Sequence, residues 1–204
     1  MEKVSLQKQN LNPNFIGSWV MHPLSISDEL IDYFEANKNK HKTGVISAGA
    51  NLDAKDSTDI KIVPKEIKLP GNEVFEKYFH ALLRCYQNYV EEWPFLESFA
   101  ENLHVGSFNL QRYKSGQHFQ RVHTERGGLE TLHRVFAWMT YLNDVNKEDG
   151  GSTYFSHYDL EIQPRKGLTL IWPSEWTHAH KGNALKANSK YIITGWMTFP
   201  NNKI

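Results

Sequence analysis

The stretch RVFAWMTYLN, residues 134–143, has apolar side chains on both faces if it is extended. A strand of this kind is covered on both sides by other parts of the fold. Around it, from residue 104 onward, apolar residues recur with period two, which is typical of strands. The predicted strands of this region lie at residues 105–113, 134–143, 160–163, 168–172 and 190–199. About eight short strands in the chain indicate a double-sheet jelly roll.

The first half of the chain has a different pattern. Residues 73–92 repeat apolar side chains at helical spacing after a Pro-Gly-Asn breaker, and a shorter helix is predicted to follow residues 23–27. Short strands are predicted at residues 43–46 and 60–63, and a polar arm or short edge strand at residues 1–13. The predicted fold is therefore α+β, mainly β: a double-stranded β-helix (jelly roll) with buttressing N-terminal helices. We expect a single domain over residues 1–204, with an N-terminal scaffold in residues 1–103 and a catalytic core in residues 104–204.

Composition limits the class of protein. Acidic and basic residues balance at 23 each, so we expect no nucleic-acid partner. No apolar run approaches the length of a membrane span, and the first residues lack a signal peptide, so we expect no membrane partner. The single cysteine, Cys85, fits a reducing compartment, and we expect a cytoplasmic protein. The oligomeric state stays open.

The residues His123-Thr124-Glu125 form the first half of a candidate metal site. Side chains two apart in a strand point to the same face, so His123 and Glu125 could bind one metal from one sheet edge. Two histidines and a carboxylate are the donor set of open non-haem Fe(II) sites. The third ligand is His178 or His180, and the residues alone do not choose between them.

Lys190 opens the last predicted strand on the same face as Ile192 and Trp196. A buried lysine needs an anion, whereas a lysine at a strand end can reach solvent. Two interpretations are therefore open: an exposed strand-end lysine, or a lysine that binds the carboxylate of a small acid inside the barrel.

Several motifs in one order resemble those of a known family. The chain resembles the 2-oxoglutarate- and Fe(II)-dependent oxygenases, in particular their prolyl 4-hydroxylase-like branch, over residues 107–199. The matching segments are 113–119 (YKSGQHF), 123–125 (HTE), 141–144 (YLND), 150–155 (GGSTYF), 164–167 (PRKG), 180–182 (HKG), 190–191 (KY) and Trp196.

The resemblance implies roles for individual residues. In the family, a basic residue pairs with the far carboxylate of 2-oxoglutarate, and it follows the distal histidine by ten residues. This spacing implies His180 and Lys190 here. It implies His123, Glu125 and His180 as the catalytic Fe(II) ligands, and Tyr141 and Tyr113 as further binders of 2-oxoglutarate. The implied cofactor and co-substrates are Fe(II), 2-oxoglutarate and O2, with ascorbate as an additional candidate reductant. The family motif usually has Asp where this chain has Glu125.

The implied reaction is hydroxylation of a substrate C–H bond, with decarboxylation of 2-oxoglutarate to succinate. The expected partner is a peptide or small-molecule substrate, with a peptidyl proline as the nearest analogy. Two other hypotheses compete with this one. The first is a non-catalytic jelly-roll module that binds a metal or small acid in a closed site. The second is a cupin-like metal enzyme that does not use 2-oxoglutarate, since one fold can host all three functions.

Overall fold

The computed structural model of the protein describes residues 1–4, 14–46 and 49–200. Three α-helices lie in this part of the chain, α1 (Ser25–Ala36), α2 (Glu73–Glu92) and α3 (Leu96–Phe99). The strands are β1 (Glu2–Lys3), β2 (Gly17–Val20), β3 (Lys42–Thr43), β4 (Thr58–Ile62), β5 (His104–Val105), β6 (Phe108–Lys114), β7 (Phe119–His123), β8 (Arg134–Tyr141), β9 (Thr153–Phe155), β10 (Leu160–Ile162), β11 (Leu168–Pro173), β12 (His180–Gly182) and β13 (Ser189–Thr198).

The described strands form two antiparallel sheets. The large sheet has the order β1-β2-β11-β8-β13-β6-β4-β3, with β5 beside β13, and the small sheet has the order β10-β9-β12-β7. Strand β8 lies between β11 and β13, and Val135 to Tyr141 within it are all buried. The prediction of a strand covered on both faces is therefore confirmed, as is the mainly β jelly roll with N-terminal helices.

The outer face of the large sheet packs against α1 and α2. Apolar side chains of both helices form one core with the outward-facing side chains of the central strands, among them Phe108, Trp138 and Ile193. The Tyr78 hydroxyl of α2 is 2.9 Å from Thr140 Oγ1 of β8, a fully buried contact. The helices thus hold the central strands from behind, as the sequence predicted.

The inner face of the large sheet packs against the small sheet. A second core there contains Tyr113, Met139, Tyr141, Trp172 and Ile192, together with Phe155 and Ile162 of the small sheet. Alternation along β13 divides its residues between the two cores, with Ile192 on the inner face and Ile193 on the outer face. This alternation also places Lys190 inside the jelly roll.

Some predicted element boundaries differ from those observed. The strand predicted at residues 43–46 is shorter, because β3 ends at Thr43 and Ile46 makes only an isolated bridge with Gly49. The strand predicted at residues 60–63 begins two residues earlier, at Thr58. Of the polar arm predicted at residues 1–13, β1 pairs with β2, and residues 5–13 lie outside the described part.

The N-terminal third contributes strands to both sides of the large sheet, since β2 pairs with β11 and β4 pairs with β6. The single-domain assignment over residues 1–204 stays a prediction. Within the described residues, no helix is both long enough and apolar enough to span a membrane.

Candidate active site

Three potential metal ligands meet at one end of the small sheet. His123 is the last residue of β7 and pairs directly with His180, the first residue of β12. Glu125 lies in the bend after β7, so the prediction that His123 and Glu125 share one face of one strand is wrong in detail. The chain leaves the sheet at Thr124, whose hydroxyl donates to the carbonyl of Ser174 at 2.7 Å.

The donor atoms of these residues converge. Glu125 Oε1 lies 3.8 Å from His123 Nε2 and 3.5 Å from His180 Nε2. One ligand atom from each of the three residues lies within 4.8 Å of the other two. Two imidazoles and a carboxylate suit Fe(II) and, as three ligands, leave coordination positions free for others. The donor set therefore fits the metal that the motifs imply.

Each histidine ring is oriented through its other nitrogen. His123 Nδ1 lies 2.9 Å from the Arg121 carbonyl, and His180 Nδ1 lies 2.9 Å from the His178 carbonyl. A carbonyl only accepts, so each Nδ1 carries the proton and each Nε2 presents a lone pair. Metal binding requires this tautomer.

Electrostatics favour a neutral His123 and an ionised Glu125. Burial, together with the charge of His180, lowers the pKa of His123 to about 4. Burial alone would raise the pKa of Glu125, but its interaction with His180 and the charge of His123 outweigh burial and hold that pKa at about 2. A neutral imidazole beside an ionised carboxylate is ready to bind a divalent cation without losing protons first.

The second oxygen of Glu125 is held by residues outside the cluster. Trp196 Nε1 donates to Glu125 Oε2 at 2.7 Å, and Arg134 Nη1 lies 3.7 Å from the same oxygen. Arg134 also donates to the Glu125 backbone carbonyl at 2.9 Å and stacks over the Trp196 ring, 3.7 Å from its centroid. These contacts leave Oε1 facing the histidines and place Arg134 against Glu125.

The other distal histidine has different partners. His178 ends a short 3-10 turn, and its Nε2 lies 2.8 Å from the Asn14 carbonyl while its Nδ1 lies 3.0 Å from Thr177 Oγ1. His178 is outside the three-residue cluster. Ala179 lies between the 3-10 turn that ends at His178 and strand β12, which begins at His180, so the two histidines belong to different elements.

Lys190 is buried deeper in the jelly roll, with only 4% of its surface exposed. Its Nζ donates to the Gly151 carbonyl at 2.7 Å and lies 4.5 Å from the centroid of the Tyr113 ring. Burial lowers the pKa of Lys190 to about 7, and no nearby carboxylate of the described residues opposes this effect. Of the two interpretations of Lys190, the exposed strand-end lysine is therefore wrong.

The two tyrosines of the predicted site both lie in the inner core, on the side of the large sheet that holds Lys190. Tyr141 donates to Thr153 Oγ1 at 2.6 Å, and Tyr113 donates to Gln111 Oε1 at 2.9 Å. The sequence analysis assigned no role to Thr153 or Gln111, which hydrogen-bond these tyrosines. Thr153 stands in the quoted segment 150–155, and Gln111 alternates with Tyr113 along β6, so the motif and the period-two pattern contained both.

Part of the chain matches a known family in sequence. Residues 108–198 match the family model described as the 2OG-Fe(II) oxygenase superfamily. Procollagen-lysine,2-oxoglutarate 5-dioxygenase 1 of Gallus gallus is 26% identical over 175 residues, which cover 83% of this chain. The chain spans only 22% of the length of that relative.

Solved structures share the fold. A prolyl hydroxylase from Trichoplax adhaerens, in complex with a peptide fragment of the hypoxia inducible factor oxygen degradation domain, superimposes with a TM-score of 0.71 and 16% identity, over 92% of this chain and 85% of that one. A prolyl-4-hydroxylase from Pseudomonas putida gives a TM-score of 0.70 and 15% identity, over 94% and 96%. Over residues 108–198 the chain is similar to the 2OG-Fe(II) oxygenase superfamily, and it shares the fold of these solved structures.

Proposed function

We propose that this protein is an Fe(II)- and 2-oxoglutarate-dependent dioxygenase that hydroxylates a C–H bond of a peptide or small-molecule substrate. The family uses Fe(II), 2-oxoglutarate and O2. The observation that carries the proposal is the presence, in one jelly-roll interior, of a three-donor metal cluster and a buried lysine without a carboxylate partner among the described residues. A structural metal site would not require such a lysine.

Each residue of the site has a task in this reaction. His123, Glu125 and His180 would hold Fe(II), which when bound supplies the oxidising chemistry that couples substrate hydroxylation to conversion of 2-oxoglutarate into succinate. Trp196 and Arg134 fix the orientation of Glu125. Lys190 neutralises the far carboxylate of 2-oxoglutarate, and Tyr113, Tyr141 and Thr153 line its pocket. The two apolar cores exclude bulk water from this interior.

The substrate side of the proposal rests on the rim of the site. Leu129 is 85% exposed and Trp176 is 68% exposed, and they lie on the two segments that carry Glu125 and precede His180. An ion pair between Arg126 and Glu175 joins these segments. Exposed apolar side chains beside a charged pair suit an extended polypeptide. We propose a peptide substrate, hydroxylated at a residue such as proline, and a cytoplasmic location.

An anaerobic titration tests the co-substrate part of the proposal. Fe(II) and then 2-oxoglutarate are added to the wild type, to Lys190→Met and to Lys114→Met, which removes an exposed lysine from the neighbouring strand β6. We expect a visible charge-transfer band in the wild type and in Lys114→Met. In Lys190→Met we expect at least a roughly tenfold higher 2-oxoglutarate requirement, because a charge-assisted contact is lost.

Other results would change the assignment. Tight metal binding without a band in the wild type would favour a closed structural site, and absence of metal binding would refute the assignment of His123, Glu125 and His180. Once the band is established, succinate release is measured with proline-containing and lysine-containing peptides and with the free amino acids. Release with the free amino acids alone would exclude the peptide substrate.

A further inference from the structure

A chain of buried polar contacts runs behind the pocket of Lys190. Asp59 on β4 lies opposite Gln111 on β6, and its side chain accepts three hydrogen bonds. Lys55 Nζ donates to Asp59 Oδ2 at 2.7 Å, Ser57 Oγ donates to Oδ1 at 2.7 Å, and Gln111 Nε2 donates to Oδ2 at 3.0 Å. The Tyr113 hydroxyl then donates to Gln111 Oε1 at 2.9 Å. We call Lys55, Asp59, Gln111 and Tyr113 the polar relay.

The relay is shielded from solvent. Lys55, Asp59, Gln111 and Tyr113 are between 3% and 8% exposed. Buried polar groups without partners are costly, so the hydrogen-bond directions within the relay are strongly constrained.

The donor directions follow from the chemistry of each group. A carboxylate only accepts hydrogen bonds, so the amide nitrogen of Gln111 must face Asp59. The amide oxygen of Gln111 then faces Tyr113, and the single hydroxyl proton of Tyr113 is donated to it. The Ser57 hydroxyl also lies beside the Tyr113 hydroxyl, and Ser57 donates its own proton to Asp59. Asp59 thereby directs, through Gln111, where the Tyr113 proton points.

This direction has a consequence for the ligand of Lys190. Tyr113 pairs with Lys190 in the register of β6 and β13, and its ring lies under the lysine ammonium. The carboxylate of 2-oxoglutarate also only accepts, so Tyr113 cannot donate to that carboxylate and to Gln111 at once. Thr153 differs, because its oxygen accepts from Tyr141 and its own proton stays available.

We propose that Asp59, acting through Gln111, is a positioning residue that directs the Tyr113 hydroxyl proton away from the co-substrate pocket. Tyr113 then supplies an aromatic face to Lys190, and Lys190 and Thr153 supply the hydrogen bonds to the far carboxylate. This inference rests on the proposed use of 2-oxoglutarate. A consequence is that the polar relay limits the affinity for 2-oxoglutarate. Freeing the Tyr113 proton from Gln111 should increase that affinity.

The test compares the dissociation constants of 2-oxoglutarate by calorimetry, with Mn(II) as a redox-inert metal. Gln111→Met removes the acceptor of the Tyr113 proton and keeps an unbranched side chain of similar size. Tyr113→Phe keeps the ring under Lys190 and removes only the hydroxyl. The informative quantity is the factor by which Tyr113→Phe raises the dissociation constant, measured first in the wild-type protein and then in the Gln111→Met variant.

We expect this factor to be below about twofold in the wild-type protein and about tenfold in the Gln111→Met variant, the usual effect of a hydrogen bond to a charged group. Asp59→Asn gives a second route to the same result, since its amide can donate to Gln111 and let Gln111 turn its own amide nitrogen toward Tyr113. Asn109→Leu, a polar-to-apolar change on the same face of β6, is the matched control. In this variant we expect Tyr113→Phe to raise the dissociation constant by the same factor as in the wild-type protein.

A tenfold effect of Tyr113→Phe already present in the wild-type protein would overturn the inference, because Tyr113 would then donate to the co-substrate directly. A second contrary result is that Gln111→Met or Asp59→Asn increases the affinity for 2-oxoglutarate by the same factor with and without Tyr113→Phe. That result would also overturn the inference, because the gain would then come from a change of charge or packing and not from the Tyr113 proton. Thermal unfolding of every variant identifies those that do not fold. If the wild type itself binds no 2-oxoglutarate, the proposed function fails first, so the two failures are distinct.

Discussion

Glu125 is the carboxylate among the three candidate metal ligands, and Trp196 donates a hydrogen bond that fixes its orientation. Trp196→Phe removes the indole donor to Glu125 Oε2 but keeps an aromatic ring for Arg134 to stack on. We expect roughly tenfold weaker metal binding, at the lower end of the effect of removing an outer partner of a metal ligand. Anaerobic titration with Fe(II) or Mn(II) measures it. Trp176→Phe, on the exposed rim, is the control, and equal affinities of the two variants would show that Trp196 does not orient Glu125.

The two distal histidines allow a matched comparison. His180→Gln removes a converging donor, and we expect tight metal binding to be lost. His178→Gln keeps an amide that can donate to the Asn14 carbonyl, so metal affinity should stay within a few-fold of the wild type. The same titration measures both variants. If His178→Gln lost the metal and His180→Gln kept it, the third ligand would have to be reassigned.

At the residue scale, the sequence identified candidates by spacing but could not give their contacts. The separation of ten residues between His180 and Lys190, known from the family, selected one histidine of two. No local pattern relates Asp59 to Tyr113, because their connection passes through Gln111 on a neighbouring strand. Contacts of this kind depend on strand register, which pairs Asp59 with Gln111 and is not encoded within either segment.

Strand β13 connects the two parts of the site, since it carries Lys190 near one end and Trp196 near the other. Between them, Gly195 lies against the outer core, where a Cβ would meet Trp138 Cζ2 at 2.5 Å and Phe108 Cβ at 2.8 Å. We expect Gly195→Ala to lower the free energy of unfolding by about 1–3 kcal/mol through overpacking. Urea unfolding measures the change.

The control for Gly195→Ala is Gly106→Ala, because a Cβ added at Gly106 has no neighbour within 4 Å. It should leave the midpoint of unfolding close to that of the wild type. Equal destabilisation by the two substitutions would mean that loss of glycine flexibility matters more than the close packing of β13 on Trp138.

At the element scale, periodicity predicted the long elements well. The helix predicted at residues 73–92 is α2, and the strand predicted at residues 190–199 is β13 shifted by one residue. The short strands were harder, because β3 has two residues and its pairing with β4 depends on the rest of the sheet. The position of Glu125 beyond β7 was also missed, since the bend is set by the contact of Thr124 with Ser174.

In the whole molecule, the jelly-roll class followed from the count and alternation of strands, whereas the enclosure of Lys190 required both sheets. Lys190 lies near the start of β13 and is buried because the small sheet covers it. The local sequence could not distinguish a buried lysine at this position from an exposed one. The N-terminal third also reaches the site, because Lys55 and Asp59 are contributed from there. Because the burial of Lys190 depends on the packing of both sheets, the protonation of Lys190 should affect the free energy of unfolding of the whole protein.

The burial of Lys190 predicts a specific dependence of stability on pH. Its pKa is about 7 in the folded protein without ligand and near 10.5 when the chain is unfolded, so the unfolded state binds more protons between these values. The free energy of unfolding attributable to Lys190 should therefore rise with pH from about 7 to 10.5, by up to about 1.4 kcal/mol per pH unit. Chemical denaturation of the wild type, with Lys190→Met subtracted as the reference, isolates this contribution.

Binding of 2-oxoglutarate should raise the pKa of Lys190, which burial lowers in the protein without ligand. The protonated lysine is the form that pairs with a carboxylate, so binding raises its pKa and is tightest below about pH 7. Above about pH 7 the free lysine loses its proton, and we expect the affinity to fall by up to about tenfold per pH unit. Calorimetry with Mn(II) from about pH 6.5 to 8.5 measures this trend. A pH-independent affinity in the wild type, matching that of Lys190→Met, would show that the far carboxylate is held elsewhere.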